Sequence, residues 1–231
     1  MNPDSSDCSA TLEDGAFRVR LGANSIVLSR STDLESLWDA MGEDDFEDER
    51  IPYWTELWPS TLVLAQWISG MRPRVAGRLC LDLGCGLGLS AIAGAEAGGR
   101  IVATDYEFDA LVHCLRNARI NDAPPLSAIL ADWRRTPFRE NSFDIIWAGD
   151  ILYERRAIQP VAELLRLCLK PDGVAWIADP GRDACREFLA RLDLERFSVR
   201  EAFKRKVASP YPGSPRVSAS IWELRKTEPR A

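Results

Sequence analysis

The sequence has a single histidine and no closely spaced cysteines. With only His113 available, a zinc site built from two or three histidines is excluded. The six cysteines form no CxxC pair and no triplet that could hold an iron–sulfur cluster. We therefore interpret them as reduced thiols of a cytoplasmic protein, and we expect no metal site.

Long apolar runs are also missing. The longest, around STLVLAQWI, has about half the length that a bilayer crossing needs, and the polar N-terminus does not resemble a secretory signal. The formal charge of −6 equals the charge of one acidic run at 43–49, so the remainder of the chain is balanced. We therefore expect no nucleic-acid partner and no membrane partner, and we expect a monomer.

The 231 residues, 46% of them apolar, suit one domain with appendages. Residues 1–16 are predicted to be a disordered tail, and 17–77 an extension with a β-hairpin at 17–30 and a short helix. From 78 to 226, apolar runs of strand length alternate with helical segments, which predicts a parallel sheet covered on both faces. The expected fold class is α/β, a Rossmann-like doubly wound sheet of five parallel strands followed by a C-terminal antiparallel hairpin.

The first strand of this sheet runs into a glycine-rich turn, DLGCGLG at 82–88. Glycines at a strand-to-helix turn let the backbone approach a ligand closely. The order DxGxGxG differs from the GxGxxG of dinucleotide sites, because Leu89 stands where the third glycine would be. A tight turn that binds no ligand is the alternative.

An aspartate stands at or near the carboxyl end of each predicted parallel strand. These residues are Asp82, Asp105, Asp132, Asp150 and Asp179. Open α/β sheets bind ligands outside those strand ends, and like charges there disfavour a pyrophosphate. A cationic ligand rich in hydrogen-bond donors, such as S-adenosylmethionine (SAM), is favoured instead. Any single aspartate could also be a helix N-cap, so the prediction depends on the whole set.

From about residue 50 to 226 the sequence resembles the class I, seven-strand SAM-dependent methyltransferases. LDLGCGLG resembles the first motif of that family, Asp105 the acid that holds the ribose hydroxyls, and ADW at 131–133 the adenine-binding motif. The resemblance implies a set of cofactor-binding residues. This set comprises Trp58, Asp82, Gly84, Cys85, Gly86, Gly88, Asp105, Tyr106, Asp132, Trp133, Ala148 and Gly149.

Shorter strings narrow the resemblance. YWTELWPSTLVLAQWI is similar to the leader of the family-16 protein methyltransferases, where a helix start containing Trp-Pro closes over the cofactor as a lid. DILY, Asp150 to Tyr153, resembles the D/E-x-x-Y/F motif of that group. ADPGR at 178–182 and SASIW at 218–222 are similar to the lysine methyltransferases of the electron-transfer-flavoprotein β subunit.

The resemblance implies a SAM-dependent N-methyltransferase that acts on a protein lysine. Asp150 and Tyr153 are the predicted catalytic residues: the carboxylate would orient the amine, and the ring would attract it by cation–π interaction. The acidic run at 43–49 is either a steering surface for a basic substrate or a solvated loop. Three alternatives stay open: a small-molecule N-methyltransferase, a catalytically silent SAM-binding protein, and an NAD-dependent oxidoreductase.

Several conspicuous residues are expected to be structural. Trp147 and Trp176 lie inside predicted strands and should belong to the core. His113 lies on a helix about two turns beyond the ribose-binding end, which favours packing over catalysis. Cys85 has no histidine partner, so we do not expect it to be a nucleophile.

Overall fold

The computed structural model describes residues 8–30, 34–40, 52–194 and 197–227. The predictions for residues 1–7 and for the acidic run at 43–49 therefore lie outside the described residues. Among the described residues, no helix is both long enough and apolar enough to cross a membrane.

The N-terminal extension begins with a three-stranded antiparallel sheet rather than a hairpin. Its strands are β1 (Cys8–Glu13), β2 (Ala16–Leu21) and β3 (Asn24–Ser29). The prediction of a disordered tail over 1–16 is thus wrong for β1. Asp14 and Gly15 both have positive φ, and an Asp-Gly pair in this conformation closes a tight hairpin. The strand was missed because it buries only one of its hydrophobic side chains, Ala10.

The main sheet has seven strands in the order β6-β5-β4-β7-β8-β10-β9. The first five in sequence are parallel and the last two are antiparallel, which confirms the predicted architecture. Their bounds are β4 Leu79–Leu83, β5 Arg100–Asp105, β6 Ser127–Leu130, β7 Phe143–Gly149, β8 Leu169–Asp179, β9 Phe197–Val207 and β10 Val217–Lys226.

The helices occupy the two faces of this sheet and the segment before it. They are α1 Leu34–Ala40, α2 Pro59–Gly70, α3 Arg72–Val75, α4 Leu89–Glu96, α5 Phe108–Ile120, α6 Ile158–Cys168 and α7 Asp183–Leu194. Short 3₁₀ turns cover Tyr53–Thr55, Trp133–Arg135 and Arg155–Ala157. Helix α2 starts with Pro59 at its first position, where the missing N–H costs nothing.

Two apolar clusters fill the two sides of the sheet, one under α2 and α4 and the other under α6 and α7. Trp147 and Trp176 are fully buried and stack with ring centroids 6.4 Å apart, which confirms their assignment to the core. Gly94 on α4 makes room for this pair, because a Cβ there would lie 2.6 Å from the Trp147 ring.

Two asparagines, Asn117 on α5 and Asn121 directly after it, attach the N-terminal sheet to the main domain. Asn121 Oδ1 accepts from Val27 N at 2.8 Å and its Nδ2 donates to the Val27 carbonyl at 2.7 Å. Asn117 Oδ1 accepts from Ser29 N at 2.9 Å, while its Nδ2 donates to the Leu87 carbonyl in the glycine-rich turn. The side chains therefore satisfy the free edge of β3, which would otherwise expose unpaired backbone groups.

Candidate active site

A cavity of about 540 Å³ lies at the carboxyl ends of the parallel strands. It lies beside β4 and β7, between which the strand order reverses, the usual place for a ligand in an open α/β sheet. Most of the predicted site residues line it. They are Trp58, Gly84, Cys85, Gly86, Asp105, Tyr106, Asp132, Trp133, Gly149, Asp150 and Tyr153.

Three predicted cofactor-binding residues, Asp82, Gly88 and Ala148, do not line the cavity. Asp82 is fully buried behind Ser90, whose hydroxyl donates to it at 2.7 Å; burial raises the pKa of Asp82 to about 7, against the effect of this hydrogen bond. Gly88 packs on α5, where a Cβ would lie 2.8 Å from Cys114 Sγ. Ala148 is buried in the apolar core.

The glycine-rich turn directs its N–H groups into the protein. Gly84 N and Cys85 N both donate to the Thr104 carbonyl at 2.9 Å, and Gly86 N donates to Asp105 Oδ2 at 2.9 Å. N–H groups that cradle a pyrophosphate must point toward the ligand. The turn is therefore ill-suited to a dinucleotide and better suited to a ligand that needs no phosphate-binding donors.

Position 84 needs glycine for its conformation and for space. Gly84 has φ of +74°, and a Cβ there would lie 2.9 Å from Ile151 Cγ2 and 3.6 Å from the Trp133 ring. A larger residue would fill the gap between the turn and these two side chains. This close cradle is what a cofactor held against the backbone requires.

Asp105 is a fixed acceptor at the end of β5. Its Oδ2 accepts from Gly86 N and its Oδ1 accepts from Glu107 N at 3.0 Å. Burial raises the pKa of Asp105, and these backbone hydrogen bonds oppose the rise. The carboxylate lines the cavity together with the rings of Tyr106 and Trp133, a combination that suits the hydroxyls and the base of a nucleoside.

Asp132 is a turn cap, the alternative role that the sequence analysis left open for each aspartate. Its side chain accepts from Arg134 N at 2.9 Å, and Arg134 Nε donates to the same carboxylate at 2.8 Å. The Arg134 guanidinium also lies 5.6 Å from the centre of the Tyr106 ring. Asp132 is thus already paired, and Trp133 is the more accessible partner for a base in this segment.

Asp150 is held rigidly at the other side of the cavity. It has φ of +61°, unusual for a residue other than glycine, and its N–H donates to the Ala178 carbonyl at 2.9 Å. Arg182 donates to Asp150 Oδ1 from Nε and from Nη2, both at 2.8 Å. Asp179 supports this arrangement, because its Oδ1 accepts from Gly181 N and Arg182 N.

Three aromatic rings line the same cavity as Asp150. Tyr53 lies 5.3 Å from Tyr153 and 5.8 Å from Trp58, both edge to face, and Trp58 Nε1 donates to the Tyr53 carbonyl. Burial raises the pKa of Tyr153 to about 12, so its phenol is neutral at physiological pH. The rings form a polarisable wall that would attract a cation.

The lid segment, residues 53–58, is fixed through Glu56. Arg30 donates to Glu56 Oε1 at 2.7 Å, Leu34 N donates to the same oxygen at 3.2 Å, and the Tyr211 hydroxyl donates to Oε2. Leu57 N donates to the Tyr211 hydroxyl at 3.2 Å. The lid is therefore tied both to the N-terminal sheet and to the loop between β9 and β10.

Two residues that the sequence analysis left out of catalysis have structural roles. The Cys85 thiol is buried against Cys114; its hydrogen bond to Cys114 and its burial raise its pKa well above the usual range. A thiol of this kind is not a nucleophile. His113 lies with its ring centroid 4.9 Å from that of Trp54, and its Nδ1 is 2.8 Å from the Asp109 carbonyl, so it supports the lid.

The sequence analysis missed Arg182, Tyr53 and Glu56. Arg182 and Tyr53 stand inside strings that carried the resemblance, ADPGR and YWTELWP, where a charged or aromatic side chain next to a predicted site residue is a usable signal. Glu56 stands in the same string, but its role could not be predicted, because its partners come from residues 30 and 211.

The chain is similar to known proteins with more than one named activity. The chain matches the methyltransferase domain family over residues 80–173. The electron transfer flavoprotein beta subunit lysine methyltransferase of Danio rerio is 31% identical over 149 residues, which are 64% of this chain and 57% of that protein. The mitochondrial arginine-hydroxylase NDUFAF5 of Mus musculus is 35% identical over 117 residues, which are 50% of this chain and 33% of that protein.

A solved structure shares the fold over most of the chain. The magnesium protoporphyrin IX methyltransferase of Synechocystis, with bound SAM, has a TM-score of 0.54 at 16% identity and covers 86% of this chain and 100% of that chain. The curated relatives are covered less completely, since the chain spans about half of the first and a third of the second.

Proposed function

We propose that the chain, whose residues 80–173 match a methyltransferase domain family, is a class I SAM-dependent methyltransferase that transfers methyl groups to a lysine side chain of a protein. The observation that carries the proposal is that Asp150 and the contacting rings of Tyr53 and Tyr153 line one cavity. A carboxylate beside aromatic faces suits a cationic or methylated amine. The Danio rerio relative, which is named for lysine methylation, supports the same acceptor.

The other side of the cavity has the chemistry that SAM requires. Asp105 would accept from the ribose hydroxyls, Trp133 and Tyr106 would flank the adenine, and the turn at Gly84 would admit the remainder of the cofactor against its backbone. When bound, SAM supplies a methyl group on a sulfonium: the amine lone pair forms the new N–C bond, the C–S electron pair stays on sulfur, and the product ammonium later loses a proton to water.

The acceptor side must present a neutral amine, because an ammonium ion has no lone pair. The reference pKa of lysine is about 10.4, so the chain has to favour proton loss. Burial of the side chain against Tyr53 and Tyr153 would do so by removing water from the charged form. Asp150 would then orient the neutral amine through one of its N–H groups.

Positioning carries much of the rate in this proposal, because the methyl group of the cofactor is already electrophilic. Contacts within the protein hold the residues that position the acceptor. Asp150 is held by the hydrogen bond from its N–H to the Ala178 carbonyl, and Tyr53 by the anchored lid. The acidic run at 43–49 is proposed to attract a basic protein surface, an effect that would weaken as ionic strength rises.

The proposal is tested with labelled SAM and a host lysate. The purified protein is incubated with both, and the labelled macromolecules are hydrolysed so that the methylated amino acid can be identified. We expect label on methylated lysine with the unmodified protein and with Arg155→Gln, an exposed residue outside the cavity lining. We expect none with Asp105→Ala.

Each other outcome assigns a different function. Label confined to small molecules would contradict the proposal and favour the small-molecule N-methyltransferase. SAM binding by calorimetry with no labelled product in several lysates would favour the catalytically silent SAM-binding protein.

A further inference from the structure

We propose that Arg182 is a positioning residue that sets the charge of the acceptor site, because its pairing with Asp150 prevents this carboxylate from holding the incoming amine as an ammonium ion. This inference rests on the proposed function, since it concerns how an amine acceptor is received. Neither the domain match nor the relatives assign a role to this arginine.

The turn after β8 is built to deliver Arg182 to the end of β7. Asp179 Oδ1 accepts from Gly181 N at 2.6 Å and from Arg182 N at 2.7 Å, and Gly181 has φ of +99°. These bonds fix the backbone of Arg182 from a buried carboxylate. The direction of the arginine side chain therefore follows from the fold rather than from a chance surface contact.

The ion pair joins a buried acid to a partly exposed base. The side chain of Asp150 is 3% exposed and that of Arg182 is 35% exposed, and both donor atoms of the arginine reach the same oxygen, Oδ1. Removing one partner from such a pair leaves an uncompensated buried charge. Asp150 needs Arg182 for this reason, and both residues line the cavity.

A bare carboxylate at this position would oppose the reaction. An opposite charge within about 4–6 Å stabilises the ammonium form of an amine and raises its pKa by roughly 1–3 units. The amine would then bind well and react slowly. With the guanidinium in place the pair is neutral, so Asp150 can still accept a hydrogen bond without fixing a proton on the acceptor.

Other titratable or charged groups lie near this position. Asp179 and Cys185 interact electrostatically with Asp150, and Asp105, Tyr153, Glu154 and Arg156 line the same cavity. Burial raises the pKa of Tyr153 to about 12 and that of Cys185 further, so both are neutral at physiological pH. Glu154 and Arg156 pair with each other. Asp179 is occupied by the turn that carries Arg182.

A purely structural arginine and a charge-setting arginine predict different results. Arg182→Gln removes the charge, Arg182→Lys keeps it with fewer donors, and the double variant Asp150→Asn/Arg182→Gln removes both charges. Arg186→Gln is the matched control for disturbance of the turn without loss of the Asp150 pair: Arg186 lies in the first turn of α7, is 65% exposed, and pairs with Asp183 and the Gly181 carbonyl rather than with Asp150.

The first measurement uses cofactor analogues and needs no acceptor. Sinefungin carries an amine-bearing carbon in place of the methylated sulfur of SAM, whereas S-adenosylhomocysteine has no group there. We expect Arg182→Gln to bind sinefungin about tenfold more tightly relative to S-adenosylhomocysteine, because its amine would meet an uncompensated Asp150. The ratio of sinefungin affinity to S-adenosylhomocysteine affinity should be lower, and equal, in the unmodified protein, Arg186→Gln and the double variant. An unchanged ratio in Arg182→Gln would overturn the inference, whatever the acceptor proves to be.

The second measurement is the pH dependence of single-turnover methylation of the labelled lysate protein. Arg182→Gln should lower the rate near pH 7 about tenfold, lower the KM for the acceptor, and move the rate profile by about one pH unit to the alkaline side. Arg182→Lys should keep the original profile. A uniform loss of rate at all pH values, with no shift, would show a structural role and contradict the inference. Absence of any methylated lysine in the unmodified protein would instead contradict the proposed function, while the analogue measurement still decides the role of Arg182.

Discussion

Arg30 and Glu56 form an ion pair of 2.7 Å between the end of the N-terminal sheet and the lid segment, and their side chains are only 10% and 12% exposed. The Tyr211 hydroxyl donates to the other oxygen of Glu56. Three segments far apart in sequence therefore meet behind the lid, and the N-terminal extension contributes directly to the shape of the cofactor site.

Arg30→Gln should destabilise the protein by about 3 kcal/mol, because it leaves the Glu56 carboxylate buried without its main partner. It should also weaken SAM binding, since Trp54 and Trp58 belong to the segment that Glu56 anchors. Urea unfolding and calorimetry measure the two effects. Arg18→Gln is the matched control: the pair of Arg18 with Glu13 is more than half exposed and should contribute at most about 1 kcal/mol. Equal effects of the two substitutions would show that the buried pair is not special.

Asp105→Ala should reduce SAM affinity at least about a hundredfold. A hydrogen bond to a charged acceptor contributes roughly 1.5–3 kcal/mol, and the proposed ribose contact would lose two. Asp132→Ala should have a smaller effect, because Asp132 is already occupied by its own 3₁₀ turn and by Arg134. Calorimetric titration of both folded variants makes the comparison. A larger loss of SAM affinity in Asp132→Ala would assign the ribose contact to Asp132 instead of Asp105.

Asp105 and Asp132 illustrate which parts of the site can be predicted from the sequence. The alternation of strands and helices predicted the parallel sheet and thus the meeting of five aspartates at one edge, because that follows from strand direction alone. Which carboxylates remain available depends on side chains that approach from the following turns. Arg134 binds Asp132 and Arg182 binds Asp150, and neither contact is visible in a strand pattern.

In the N-terminal region the prediction from the sequence was wrong, although a local signal was present. β1 has one polar face and one face of small or partly buried residues, Cys8, Ala10 and Leu12, so its short apolar pattern was missed. Its pairing with β2 depends on the turn at Asp14 and Gly15. The Asp-Gly pair was present in the sequence and could have predicted the hairpin. The contact of Glu56 with Tyr211 could not be predicted, because it joins two loops whose approach is set by the packing of the whole sheet.

Asp82 should make the stability of the protein fall as the pH rises. Its native pKa of about 7 is higher than the ordinary value of 3.8, chiefly because of burial. The native state therefore binds the proton more tightly than the unfolded chain, so this contribution is complete below the ordinary pKa and is lost as the pH rises through about 7. Asp82→Asn should remove that dependence. Urea unfolding of both proteins at about pH 5 and about pH 8 tests this, and a constant difference between them would contradict it.

Glu223 should have the opposite dependence. Burial alone would raise its pKa, but hydrogen bonds from Trp176, Arg200 and Arg74 outweigh burial and hold it at about 2, below the ordinary 4.5. Its contribution to stability is present above the ordinary pKa and is lost as the pH falls toward 2. Glu223→Gln should therefore destabilise the protein at neutral pH and flatten its acid unfolding. Acid unfolding of both proteins, followed by tryptophan fluorescence, measures this. Parallel unfolding curves for the two proteins would contradict the assignment.

The aromatic wall gives the final prediction, which concerns acceptor binding alone. Tyr53 and Tyr153 meet edge to face at 5.3 Å, and Tyr153 is 42% exposed at the cavity. If the ring faces attract the amine, Tyr153→Ala should raise the KM for the acceptor by roughly 3- to 30-fold, the equivalent of a cation–π contribution of about 0.5–2 kcal/mol, and leave SAM affinity unchanged. Tyr153→Phe should stay close to the unmodified protein, because the ring remains. Phe108→Ala is the matched control, since Phe108 is an aromatic residue that is 65% exposed and lies outside the cavity lining. A rise in KM with Tyr153→Phe as large as with alanine would assign the effect to the hydroxyl, and the wall would then act as a hydrogen-bond donor rather than as an aromatic surface.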